Sequence, residues 1–177
     1  MESTWPTEQP LLSIPGRKEH LRPWRASDAD ALLTACQDPE IPRWTTVPSP
    51  YGRADAKSFL AGAAEWWSTQ EEAAFCISDE QHRVFGSITW FAAQGELGYW
   101  LAAPARGRGL LTAAAESLLD WAARQGARSI GIAVLVGNLP SIKVARRLGA
   151  HHTGVRLAPC GPHGDALQHR FQLNLRG

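Results

Sequence analysis

Cysteine is scarce in this chain and unpaired in pattern. Its three cysteines, Cys36, Cys76 and Cys160, are odd in number and far apart, with no C-x-x-C pair. That argues against a disulfide framework or a zinc site and fits a reducing compartment. Charge of one sign is also lacking: 18 Lys+Arg against 17 Asp+Glu leave a formal net charge of +1. No global field therefore draws the protein to nucleic acid or to an anionic membrane. Long hydrophobic runs are absent, since no apolar stretch approaches the ~18 residues of a membrane span. The polar start MESTWPTEQP lacks the cationic-then-apolar order of a signal peptide. None of the six histidines has metal-ligand spacing with another acid or thiol. The expectation is a cytoplasmic protein that needs no metal, no membrane and no nucleic acid.

What is present suits one globular domain. At 177 residues and 44% hydrophobic content the chain can bury a real core. Residues 1–15, with three prolines and little pattern, read as a flexible N-terminal arm, and 16–177 as the domain. A short strand at Leu21 to Trp24 leads to a helix capped by Ser27, with Asp28 and Asp30 in its first turn. Asp38 to Gly52 holds four prolines and reads as a long loop, packed through Ile41, Trp44, Val47 and Tyr51. Phe59, Ala63 and Trp66 or Trp67 sit at helical spacing within Ala54 to Gln70.

The chain then becomes strand-rich. AAFCIS and RVFGSITWFA read as adjacent strands, and ELGYWLA (Glu96 to Ala102) as another, ended by Pro104. A helix from Thr112 to Gln125 closes at Gly126. SIGIAVLVG is apolar on both faces, as expected of a central strand. NLPSIKVARRLG carries Asn138 as N-cap, Pro140 in the first turn and Gly149 past the end. His151-His152 reads as a loop pair, and a turn at Cys160 to Asp165 precedes a final strand near Gln168 to Leu175. Of the eight tryptophans, Trp90, Trp100 and Trp121 are expected in the core and Trp44 on a pocket wall. The sum is an α/β domain with a mixed sheet.

One stretch asks for a reason. PARGRGLLTAAAESLL places Gly107 and Gly109 between a proline and a run of helix formers, and each glycine costs conformational entropy when ordered. Strand, then R-G-R-G, then helix is the order in which backbone N–H groups and a helix N-terminus cradle an anion. The loop is not a Walker loop, because no G-K-[ST] follows. Nor is it the dinucleotide fingerprint, because Thr112 stands where the third glycine belongs. On motif shape alone, a phosphate cradle and an ordinary tight turn are equally good readings.

GYWLAAPARGRGLLTAAAESLLDWA followed by VLVGNLPSIKVARRLGA resembles the GNAT superfamily of acyl-CoA-dependent N-acetyltransferases, in particular the RimJ/RimL-like branch of ribosomal-protein alanine N-acetyltransferases. Arg106-Gly107-Arg108-Gly109 matches the R/Q-x-x-G core of the superfamily's pyrophosphate loop. Asn138 to Ser141 with Val144-Ala145 and Leu148-Gly149 matches the branch's N-x-x-S-x-x-V-A-x-x-x-G segment, and LRPWRASDADALLTACQDPEI looks like its first strand and helix. The resemblance spans most of residues 20 to 175. Three positions depart from it: Leu111 stands for the loop's final Gly/Ala, Ala150 for the aromatic usual after Leu148-Gly149, and Ala145 stands about where many members carry a Tyr acid.

The resemblance implies a single α/β domain whose mixed, largely antiparallel central sheet carries helices on both faces. A V-shaped opening would separate two central strands. It implies acetyl-CoA as co-substrate and direct transfer of the acetyl group to a primary amine, either a protein or peptide N-terminus or a small molecule. Backbone amides of Gly107 to Leu111, Leu110 included, would anchor the CoA phosphates, with Arg106, Arg108, Lys143, Arg146 and Arg147 able to contact them. Tyr99, Trp100 and Leu101 would line the pantetheine and supply the oxyanion donor, and Asn138 would bond it from the helix cap. Ser141 is the nearest candidate acid for the leaving thiolate. Glu96, the only acid on that strand, is the candidate base, with a plain surface role equally open. Asp165 is a second possible ammonium partner. The alternative reading is a non-catalytic acyl-CoA-binding or sensing module. The acceptor stays open, as does the choice between monomer and homodimer.

Overall fold

One twisted sheet organises the molecule, which a computed structural model describes over residues 5–175. Its eight strands are β1 (Leu12–Ser13), β2 (His20–Pro23), β3 (Glu72–Ser78), β4 (Val84–Phe91), β5 (Glu96–Leu101), β6 (Ser129–Leu135), β7 (His151–Pro159) and β8 (Asp165–Asn174). They lie in the order β1-β2-β3-β4-β5-β6-β8-β7. Every pairing is antiparallel except β5 with β6. Period-2 alternation sends Phe75, Ile88 and Leu97 to one face, and Ala74, Cys76 and Trp100 to the other. The first face packs α4 (Leu110–Arg124) through Leu110, Ala114, Leu118 and Trp121. The second packs α1 (Ala29–Ala35) and α3 (Arg53–Thr69) through Leu32, Ala56 and Ala63. This is the GNAT-like α/β arrangement, with an open, largely antiparallel sheet covered on both sides.

Local chemistry sets the helix ends. Asp55 accepts a hydrogen bond from Gly52 N–H at 2.7 Å and so starts α3. Gln70 ends it in the left-handed region (φ 59). Asn138 Oδ1 accepts from Ser141 N–H at 3.2 Å, which caps α5 (Leu139–Arg147) as its sequence predicts.

Four expectations need correction. Residues 5–15 are not a flexible arm: Trp5 is buried with its ring 4.8 Å from Trp67, 5.5 Å from Trp90 and 5.4 Å from Trp121. Leu12 and Ser13 pair with β2. Scattered anchors rather than a periodic stripe hold it, Trp5 and Ile14 both being buried in the main core; residues 1–4 of the expected arm lie outside the described residues. The long loop contains a short helix, α2 (Glu40–Trp44). Ser27 does not cap α1: the N-cap position falls on buried Asp28, which makes no side-chain cap bond to the helix and instead takes two hydrogen bonds from Arg22, at 2.7 and 2.8 Å. His151 and His152 open β7 rather than a loop, and His152 Nε2 lies 3.1 Å from His169 Nδ1 on β8.

Candidate active site

The parallel pair is where the sheet comes apart. β5 and β6 meet at one register position, Glu96 opposite Gly131, where Gly131 N–H donates to Gly95 O at 2.8 Å. Beyond it the two strands separate, while β5 stays laddered to β4 as far as Leu101 and β6 to β8 as far as Leu135. The expected V is therefore present, with its apex at Glu96 and its mouth at the carboxyl ends of both strands. A cleft of about 1250 Å³ runs through it.

At that mouth the chain turns through Arg106–Gly109 into α4. Gly107 (φ 76) and Gly109 (φ 69) are both left-handed, a conformation that costs a side-chain-bearing residue about 1–2 kcal/mol. A Cβ on Gly107 would meet nothing within 4 Å. The glycines are thus required by backbone conformation, and the space is open at Gly107, while Arg17 comes within 3.4 Å of a Cβ on Gly109. α4 starts at Leu110 with no side-chain cap. Among the described residues, no acceptor is recorded for the amides of Gly107 to Leu111. Unpaired N–H groups at a helix N-terminus form an anion site.

Eleven of the expected site residues line this one cleft. Glu96, Tyr99, Trp100 and Leu101 come from β5, Gly107, Gly109, Leu110 and Leu111 from the loop and α4, Asn138 and Ser141 from the start of α5, and Arg106 from the turn between. Arg106 does not present its side chain as a phosphate ligand. Its Nε and Nη2 donate to Leu101 O at 3.0 and 2.8 Å, and it pairs with Asp38 at 2.7 Å, pinning the end of β5 to the segment after α1. Arg108 lies outside the lining, 5.8 Å from the Phe85 ring and 3.9 Å from Glu19. Arg146 is exposed and outside it too, whereas Lys143 and Arg147, the other two basic residues expected near the phosphates, line the cleft. Asp165 is exposed at the start of β8.

Glu96 forms an ion pair with Arg170 of β8. Its carboxylate is therefore oriented by a cation across the apex of the V, which offsets part of its charge.

Two functional features escaped the sequence. Tyr99 was singled out for its backbone, yet its hydroxyl lies 2.8 Å from Ser141 Oγ. Burial pushes the Tyr99 phenol up to about 12, against the opposing pull of the Ser141 hydrogen bond. Arg17 reaches over the loop, donating from Nη2 to Arg108 O at 2.6 Å. No local pattern announces these contacts, because each joins residues far apart in the chain. Trp44 does line the cleft as expected: its Nε1 donates to Glu40 at 3.0 Å, and a Cβ on Gly137 would lie 3.6 Å from its ring. His163 Nε2 lies 2.9 Å from Thr45 O, so α2 is braced across the cleft from both the β6–α5 loop and the β7–β8 turn.

The profile of the acetyltransferase (GNAT) domain matches residues 20–151. The chain belongs to the GNAT acetyltransferase family. GNAT membership makes the protein an acyltransferase, and solved structures agree on the fold. The acetyltransferase from Salmonella typhimurium that modifies the N-terminal serine of ribosomal protein L7/L12 superposes with a TM-score of 0.82 at 18% identity, over 94% of this chain and 100% of that one. Mycobacterium smegmatis RimJ, solved with CoA-disulfide, gives 0.79 at 20% identity, over 98% and 90%. The microcin C7 self-immunity acetyltransferase MccE, solved with acetyl-CoA and AMP, gives 0.79 at 20%, over 90% and 93%. No curated protein matches the chain. Among the described residues no helix is long and apolar enough to cross a membrane, and no group of three or more His, Cys, Asp or Glu is placed to hold a metal ion.

Proposed function

We propose that this GNAT enzyme transfers the acetyl group of acetyl-CoA directly to a primary amine. The observation that carries the reading is the uncapped N-terminus of α4 beside the split between β5 and β6. Amides of Gly107 to Leu111 bind the CoA pyrophosphate there, with Lys143 and Arg147 adding charge. The edge of β5 freed beyond Glu96 offers unpaired backbone groups, which hold the pantetheine amides and give the oxyanion a donor at Tyr99 to Leu101. Asn138 stays the cap of α5 and fixes the backbone amide of Ser141.

Proton management falls to two places. Ser141, hydrogen-bonded to Tyr99, donates to the departing thiolate. Glu96 attracts the acceptor ammonium toward the apex of the V and takes or relays its proton, directly or through water. The neighbours solved with acetyl-CoA or CoA support the choice of co-substrate. A thiol-release assay with acetyl-CoA against peptides and small amines tests the reading. Turnover with any primary amine supports it; tight acetyl-CoA binding without turnover across the panel favours an acyl-CoA sensor.

A further inference from the structure

The acceptor half of the cleft has its own chemistry. Three rows cross β3, β4 and β5: Glu72–Phe91–Glu96, Ala74–Thr89–Gly98 and Cys76–Ser87–Trp100. Residues directly opposite in a ladder share a face, so Phe91, Thr89, Ser87 and Trp100 form one floor. α3 supplies the wall through Phe59 and Trp66, whose rings meet edge to face at 6.0 Å.

Two glycines shape this space without any need for unusual backbone. A Cβ on Gly98 would stand 2.6 Å from the Phe91 ring, and one on Gly62 would stand 2.5 Å from the Trp66 ring. Both rings therefore lie flat on backbone, where a side chain would lift them into the cleft. The outcome is a recessed aromatic slot. Charge is unevenly spread here as well. The cations lining the cleft, Arg106, Lys143 and Arg147, lie at the CoA loop and α5, whereas Glu72 and Glu96 flank Phe91 at the edge of the floor, Glu96 paired with Arg170. Glu72 is half-buried and has no ion pair among the described residues.

We propose that the acceptor is a primary amine carrying an aromatic or bulky apolar group and no carboxylate, seated between Phe91 and Trp100 on the floor and Phe59 and Trp66 on the wall. Flat rings offer stacking to a planar group. Glu72, without an ion pair among the described residues, welcomes the ammonium and repels an acceptor's own carboxylate. This assignment rests on the acetyl-transfer reading above.

The test compares 2-phenylethylamine with phenylalanine, which adds a carboxylate, and with n-butylamine, which removes the ring. Acetyl-CoA affinity is measured alongside by calorimetry. Phenylethylamine is expected to exceed each of the others in kcat/KM by at least about tenfold. Gly98→Ala, which lifts Phe91 into the slot, lowers that value about tenfold with acetyl-CoA affinity unchanged. Trp66→Ala, at a partly exposed site, does the same if Gly98→Ala fails to fold. Equal or better use of phenylalanine or n-butylamine overturns the acceptor class while the acetyl-transfer reading stands. Acetyl-CoA binding without turnover of phenylethylamine overturns it too. Failure to bind acetyl-CoA defeats both.

Discussion

Tyr99 Oη lies 2.8 Å from Ser141 Oγ, joining the middle of β5 to the first turn of α5 across the split in the sheet. The hydroxyl that many GNAT enzymes place on the last helix is absent at Ala145. The pair supplies two hydroxyls from a different combination of elements. Ser141→Ala should lower kcat by ~10²–10⁴, the usual worth of general acid help, and shift KM for acetyl-CoA only modestly. Tyr99→Phe keeps the ring and removes the partner of Ser141, so it should give a smaller fall in kcat. Burial holds the phenol protonated up to about 12; the Tyr99→Phe defect should therefore stay constant between about pH 6 and pH 9, far below that value. A defect that grows across this range would assign the proton to another group.

Gly109→Val addresses the phosphate loop. The left-handed backbone at Gly109 (φ 69) disfavours a β-branched residue, and a Cβ there would come to 3.4 Å from Arg17 Nη2. The loop is exposed, so strain of about 1–2 kcal/mol should leave the protein folded by circular dichroism. Acetyl-CoA affinity should fall by at least about tenfold. Calorimetry reads it directly, and unchanged affinity would take the loop out of the binding site.

Glu96→Gln keeps the size of the side chain and removes its charge, and with it the ion pair to Arg170. An alkylamine acceptor is mostly protonated at neutral pH, with a reference pKa near ~8 for an α-amino group and ~10 for a lysine-like amine. The loss in kcat/KM should be largest at low pH and shrink as pH rises past the amine's own pKa, with acetyl-CoA affinity unchanged. A pH–rate profile that overlays the parent would leave Glu96 as a brace for the apex of the V.

Trp5→Ala tests the N-terminal segment. Trp5 packs among three other tryptophans in the main core, and removing a buried Trp side chain typically costs ~3–5 kcal/mol. Urea denaturation should show a loss of that order; a change below about 1 kcal/mol would return the segment to the status of a loose arm.

Glu72→Gln probes the far end of the slot. Burial, with Glu71 adding to it, pushes the Glu72 carboxyl above its usual value. The folded state therefore disfavours the charged form, and Glu72 opposes folding once pH rises above the carboxylate range, less so in acid. Removing the charge should raise the unfolding midpoint slightly at neutral pH and have no effect near about pH 3, where the group is neutral in both states. Denaturation midpoints at the two pH values check the sign.

The order of elements from β2 to α5, the short α2 apart, was legible because each rests on a local rule. Strands alternate with a period of two, helices with one near four, and Asn138, Pro140 and Gly149 mark the ends of α5 in the residues themselves. Gly107 and Gly109 announced a backbone that side chains resist, which is a local property as well. Other features were settled only by the tertiary structure. Trp5 has no sequence neighbour that explains it; only the meeting of α3, β4 and α4 gives its ring a place. Tyr99 meets Ser141, and Glu96 meets Arg170, across 42 and 74 residues of chain. Of the three exposed basic residues of α5, the packing of the helix put Lys143 and Arg147 on the cleft and left Arg146 off it. Local propensity and periodicity are properties of a few consecutive residues, and so are written in the sequence. The direction of a side chain into a shared cleft is a property of how elements pack, and the fold alone decides it.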